Sequence, residues 1–90
     1  MGDDSIEKVT IKHDLGLHLR AAGALVQTAS KYDADVTISY NNLTANCKSI
    51  MSVLSLAAPC GARLEIRATG NQAAEALKAV VDLVERDFDL

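Results

Sequence analysis

His18, within the run Gly16-Leu17-His18-Leu19-Arg20-Ala21-Ala22-Gly23, is the residue whose type and setting point most directly to chemistry. Downstream of it Ala22, Leu25, Val26 and Ala29 recur at i, i+3, i+4 and i+7, the apolar stripe of an amphipathic helix. His18 therefore falls at, or one residue before, a first helical turn, where backbone N–H groups are unpaired and the macrodipole is positive. A neutral imidazole there offers a ring-nitrogen lone pair for attack. A phosphoryl group accepted there would meet the free amides of Leu19 and Arg20, as phosphates generally do at helix N-termini. The Arg20 guanidinium would add charge-assisted hydrogen bonds. The competing structural reading is that His18 is a cap or surface residue only.

The elements that must hold this histidine follow from patterning. A strand is expected over Ile6–Lys12, with Val9 and Ile11 on one face and Lys8, Thr10 and Lys12 on the other. A loop through His13-Asp14-Leu15-Gly16 leads to a helix over Leu19–Lys31. His13 is read there as solvent-exposed, because two histidines five residues apart with no third ligand make a weak metal pair. Gly23 inside the helix is unfavourable by about 1 kcal/mol relative to Ala and is expected to mark close approach of another backbone. Strands over Asp35–Tyr40 and Leu43–Cys47 flank Asn41-Asn42, a tight turn suited to positive φ. Ser49 is a natural N-cap for a short helix whose stripe is Ile50, Val53, Leu54 and Ala57, with Met51 and in part Leu54 exposed, and which Pro59 and Gly61 end. A strand over Arg63–Thr69 turns Leu64, Ile66 and Ala68 inward. After Gly70, Asn71 is expected to cap a long final helix that buries Ala73, Ala76, Leu77, Val80, Val84 and Phe88, while Glu75, Lys78 and Asp82 face water.

The order is βαββαβα, and its short connections favour an α+β fold with a four-stranded antiparallel sheet and three helices on one face. Strand order alone also admits a ferredoxin-like or a small ligand-binding regulatory domain.

Composition narrows the functions. Ninety residues with 49% hydrophobic content are read as one domain over residues 1–90. A net charge of −3 and only three aromatics, Tyr32, Tyr40 and Phe88, argue against a nucleic-acid surface. Acidic residues gather at both ends (Asp3, Asp4; Glu85, Asp87, Asp89), leaving the surroundings of His18 and Arg20 less negative. Cys47 and Cys60 have no CxxC or zinc spacing and read as reduced thiols, and no metal or cofactor is expected. The start Met1-Gly2-Asp3-Asp4-Ser5 is unlike a signal peptide, Ile6 stands where Gly2 acylation would want Ser or Thr, and no apolar run reaches membrane-spanning length, so a cytoplasmic protein with no membrane partner is expected.

Gly16-Leu17-His18-Leu19-Arg20-Ala21-Ala22 resembles the active-site motif of the histidine-containing phosphocarrier proteins, HPr, of the phosphoenolpyruvate-dependent phosphotransferase system. Lys48-Ser49-Ile50-Met51-Ser52-Val53-Leu54-Ser55-Leu56 resembles that family's regulatory-serine segment, at the family's interval from His18, and the likeness runs from about Ile6 to about Val84. The resemblance implies the open-faced β-sandwich and a carrier rather than an enzyme. In it His18 accepts a phosphoryl group on Nδ1 from enzyme I and passes it to enzyme IIA-type domains, for sugar uptake or its regulation. It also implies partner docking through Leu19, Ile50, Met51 and Leu54, a regulatory role for Ser49 as substrate of an HPr kinase/phosphorylase in some lineages, and a monomer. For Leu54 the alternative is core, and for Ser49 a cap alone. Leu19 stands where many members have Thr or Ala, and Ala21 where most have Pro. The segments Lys48 to Leu56 and Val84 to Phe88 also resemble the nitrogen-related branch. Two other classes compete: an HPr-like regulatory module acting by docking and Ser49, and a small-molecule-binding regulatory domain.

Overall fold

A computed structural model describes residues 4–90. The acidic start at Met1-Gly2-Asp3 and the acylation reading of Gly2 lie outside the described residues.

Alternating apolar residues build one sheet from β1 (Asp4–Thr10), β2 (Asp35–Tyr40), β3 (Leu43–Asn46) and β4 (Arg63–Thr69), in the order β1-β4-β2-β3 with every neighbouring pair antiparallel. Because side chains alternate across a strand, one face collects Val9, Val36, Ile38, Ala45, Leu64, Ile66 and Ala68, all buried. The other face carries Lys8, Thr10, Arg63 and Arg67 and stays exposed. Three α-helices cover the apolar face: α1 (Leu19–Ala29), α2 (Ile50–Leu54) and α3 (Ala73–Glu85), followed by a short 3-10 turn at Asp87–Asp89 that seats Phe88 in the core. This is the expected open-faced sandwich.

Asn41 and Asn42 take φ of 53° and 66°, as the β2–β3 hairpin requires of a turn matching strand twist. The expected burial of α3 holds at Ala73, Ala76, Leu77, Val80 and Val84; Phe88, expected on the same helix, is buried from the turn beyond its end at Glu85.

Several local expectations are corrected. The first strand ends at Thr10, although Ile11 continues its inward face and its N–H donates to the Ala62 carbonyl at 2.9 Å. α1 stops at Ala29, where Ser30 returns its N–H to Val26. β3 ends at Asn46, with Cys47 held just beyond it by its N–H to the Val36 carbonyl, and Leu43 at the edge is exposed. Apart from its chain neighbours and the backbone of its own helix, no atom among the described residues lies within 4 Å of where a Gly23 Cβ would stand, so no other element's backbone approaches it. α2 ends at Leu54, well before Pro59, and Ala57 lies outside the helix at φ 51°, exposed; of the expected stripe only Val53 is buried. Asn71 does not cap α3. Its Nδ2 donates to Asp33 Oδ2 at 2.9 Å, and Gln72 occupies the N-cap position while its Oε1 accepts from the Asp33 N–H at 2.7 Å. The β1–α1 side of the fold also depends on Gly16, which is buried at φ +66° and stands where a Cβ would lie 2.5 Å from the Ala58 carbonyl oxygen.

Candidate functional site

His18 is the N-cap of α1. Its backbone is extended (φ −88°, ψ −178°) and its Nδ1 accepts a hydrogen bond from the Arg20 N–H at 3.2 Å. The ring thereby does what Ser or Asp does at most helix starts, satisfying one of the first-turn donors. Acceptance at Nδ1 means that this nitrogen carries its lone pair toward the helix, with the proton of the neutral ring on Nε2. Nε2 is buried and finds no hydrogen-bond partner among the described residues. The ring as a whole is half-buried, presenting one nitrogen to the unpaired amides and hiding the other.

The approach to this cap is rigid for traceable reasons. Gly16 N–H closes a turn on the His13 carbonyl at 2.9 Å, Leu17 N–H bonds the Ala58 carbonyl at 2.9 Å, and the Leu17 side chain is buried. Only glycine fits between that turn and the Ala58-Pro59 backbone. The first turn beyond His18 is open. The Leu19 N–H has no acceptor among the described residues, and its side chain is 65% exposed. Arg20 is exposed and its guanidinium makes no hydrogen bond or ion pair among the described residues. Ala21 is buried in the first turn, ahead of the first helical bond from Ala22 N–H to the His18 carbonyl (2.8 Å). A residue there loses no helix bond whether or not it has an N–H, so alanine serves as well as proline.

His13, expected in solvent, is instead half-buried and packs against His18 with ring centroids 4.9 Å apart and planes tilted by 46°. Spacing gave no sign of this contact. Among the described residues no group of three His, Cys, Asp or Glu side chains is placed to hold a metal ion.

The second predicted position, Ser49, caps α2, its Oγ accepting from the Ser52 N–H at 3.3 Å. Behind it Lys48 is tied back to the Tyr32 carbonyl through Nζ at 3.0 Å. Of the expected docking residues, Leu19 and Met51 are prominent at 65% and 76% exposure and Ile50 is exposed, whereas Leu54 is half-buried and packed on the core. Leu15, in the turn just before His18, is 71% exposed and extends this set of surface apolar residues; sequence reasoning passed over it. α1 packs against α2. A hollow of about 420 Å³ lies elsewhere, on the open sheet face between Lys8, Ser39, Thr44 and Arg63.

Of the thiols, Cys47 is buried and burial pushes it up to about 12, while Cys60 is exposed with its Sγ 3.6 Å from the Lys12 carbonyl. No helix among the described residues is long and apolar enough to cross a membrane.

Fold and site together define a small open-faced sandwich protein with a histidine set as the cap of its first helix. A family model described as "PTS HPr component phosphorylation site" matches residues 6–86, and the chain belongs to the HPr family of the phosphotransferase system. An HPr from Thermoanaerobacter tengcongensis is 38% identical, with a TM-score of 0.91 over 96% of this chain and 97% of that one. The phosphocarrier protein HPr of Bacillus anthracis is 35% identical, with a TM-score of 0.84 over 89% and 95% of the two chains. An HPr dimer, also from T. tengcongensis, is 41% identical, with a TM-score of 0.76 over 89% and 92%. Members of this family are phosphocarriers of the phosphotransferase system rather than catalytic enzymes.

Proposed function

We propose that this chain relays a phosphoryl group through His18, taking it from enzyme I charged by phosphoenolpyruvate and giving it to enzyme IIA-type domains. The observation that carries the reading is the Nδ1 lone pair of His18 aimed into the start of α1, 3.2 Å from the Arg20 amide nitrogen. In the transfer, Nδ1 forms a bond to phosphorus as the donor's bond to phosphorus breaks and the donor keeps that electron pair. The new phosphoryl oxygens then take the place of Nδ1 as acceptor for the Arg20 amide and give the Leu19 amide an acceptor, and the unpaired Arg20 guanidinium closes over them. Such chemistry asks mainly for in-line positioning and charge stabilisation, which a half-exposed site supplies without a substrate pocket. A shallow site also leaves the phosphohistidine free to pass its group on.

Leu19, Ile50, Met51 and the exposed part of Leu54 form the docking patch in this reading, with Met51 adaptable enough to serve more than one partner. Ser49 is the regulatory position. A phosphate placed there by an HPr kinase/phosphorylase would put negative charge beside the docking patch and weaken binding of an acidic partner. The protein works as a cytoplasmic monomer in this account, and a sedimentation profile independent of concentration is the expected result.

Incubation with enzyme I and labelled phosphoenolpyruvate tests the relay. Label should appear, be acid-labile and base-stable, and be absent from His18→Ala; label persisting in that variant removes His18 from the mechanism. Ser49→Asp should slow acceptance from enzyme I without unfolding the domain, and unchanged transfer kinetics would count against the regulatory role.

A further inference from the structure

His18 is held by less than its role requires. Its one side-chain hydrogen bond, at 3.2 Å, sits at the long end of the useful range, and its Nε2 has no partner. A single weak bond leaves rotation about the side-chain torsions poorly restrained, so a further contact must fix the ring.

The His13 ring packs against it. Its centroid lies 4.9 Å from that of His18, within the range over which aromatic rings attract, at a 46° tilt. The His13 ring carries a matching bond, its Nδ1 accepting from the Leu15 N–H at 3.2 Å, while the turn beneath it is closed by the Gly16 N–H on the His13 carbonyl at 2.9 Å. Gly16 in turn is wedged against the Ala58-Pro59 backbone. The turn that Gly16 locks therefore carries the His13 ring against that of His18.

We propose that His13 is a positioning residue, whose imidazole holds the His18 ring in the rotamer that aims Nδ1 at the amides of α1 and keeps Nε2 hidden. Its value for transfer presupposes His18 as the phosphoryl acceptor; the ring geometry can be measured without any transfer.

Two substitutions separate the ring from the turn. His13→Asn keeps a side-chain acceptor for the Leu15 amide and removes the ring, while His13→Phe keeps a ring and removes the acceptor. Three-bond couplings and long-range nitrogen-proton spectra of His18 should show one rotamer and a single tautomer in the parent and in His13→Phe, and rotamer averaging in His13→Asn. Acceptance of phosphoryl from enzyme I should fall about 3- to 10-fold in His13→Asn, the size expected from losing one aromatic contact, and return to within about twofold of the parent in His13→Phe. Circular dichroism reports whether each variant keeps its fold. A parent-like His18 ring and an unchanged rate in His13→Asn would overturn the proposal, as would a loss that His13→Phe fails to restore. A parent that takes no label while the ring signatures behave as described would instead sink the relay reading and leave the positioning role standing.

Discussion

Two helices in this protein begin in the same way and are anchored very differently. α1 and α2 each start from an extended N-cap whose side chain accepts a first-turn amide, His18 from Arg20 at 3.2 Å and Ser49 from Ser52 at 3.3 Å. Each is followed at once by exposed apolar residues, Leu19 in one case and Ile50 and Met51 in the other. Behind His18, however, stand a buried Leu17, a glycine locked against Ala58-Pro59, a second imidazole and an eleven-residue helix that buries Ala21, Ala22, Leu25 and Ala29. Behind Ser49 stands a five-residue helix with one buried side chain, Val53. The difference suits a nucleophile that must be held in one geometry, set beside a cap that a change of charge can perturb at little cost to the fold.

The comparison breaks most visibly at Gly16. Replacing it by Ala puts a Cβ 2.5 Å from a carbonyl oxygen at a backbone angle, φ +66°, that side chains disfavour. Neither the turn nor the Ala58-Pro59 backbone can yield cheaply. Gly16→Ala should lower stability by about 2–4 kcal/mol and Tm by about 10 °C or more, read by thermal unfolding. A loss under about 1 kcal/mol would mean that the turn before His18 is not rigid. At the other helix, Ser49→Ala removes one cap and should lower stability by about 1 kcal/mol in denaturant titration, with phosphoryl acceptance by His18 unchanged. A loss as large as that of Gly16→Ala would erase the contrast between the two helix starts.

The smallest effect has the opposite sign. Gly23 lies in α1 with nothing near its missing Cβ, so Gly23→Ala should stabilise the protein by about 0.4–1 kcal/mol, seen as a higher denaturant midpoint at constant slope. Destabilisation there would show that α1 needs the freedom of glycine.

Much of this could be read from the chain because the relevant signals are local. Period-two alternation marks Val36 and Ile38, or Leu64, Ile66 and Ala68, whatever the rest of the fold does, and Asn41-Asn42 declares its turn. Ser49 as a cap was equally legible, and so was the place of His18 at a helix start, since both depend on residues a few positions apart; that His18 itself caps the helix through Nδ1 stood there only as the competing reading. The misses were tertiary. No local rule foresees α2 ending at Leu54 with Ala57 beyond it at positive φ, or Asp33 drawing Asn71 and Gln72 into its own hydrogen bonds. Gly23 invited a packing explanation that only the neighbouring elements could refute. The contact between His13 and His18 depends on how a five-residue turn folds back, which spacing along the chain does not encode.

The central claim is that the Leu19 and Arg20 amides at the start of α1 receive a phosphoryl group carried on Nδ1 of His18. Phosphorus and amide NMR of the protein charged by enzyme I tests it most directly. The account predicts a phosphorus signal of the Nδ1-phosphohistidine isomer, together with amide shifts that are largest at Leu19 and Arg20. A signal of the Nε2 isomer, or shifts centred on α2 with Leu19 and Arg20 unmoved, would contradict it.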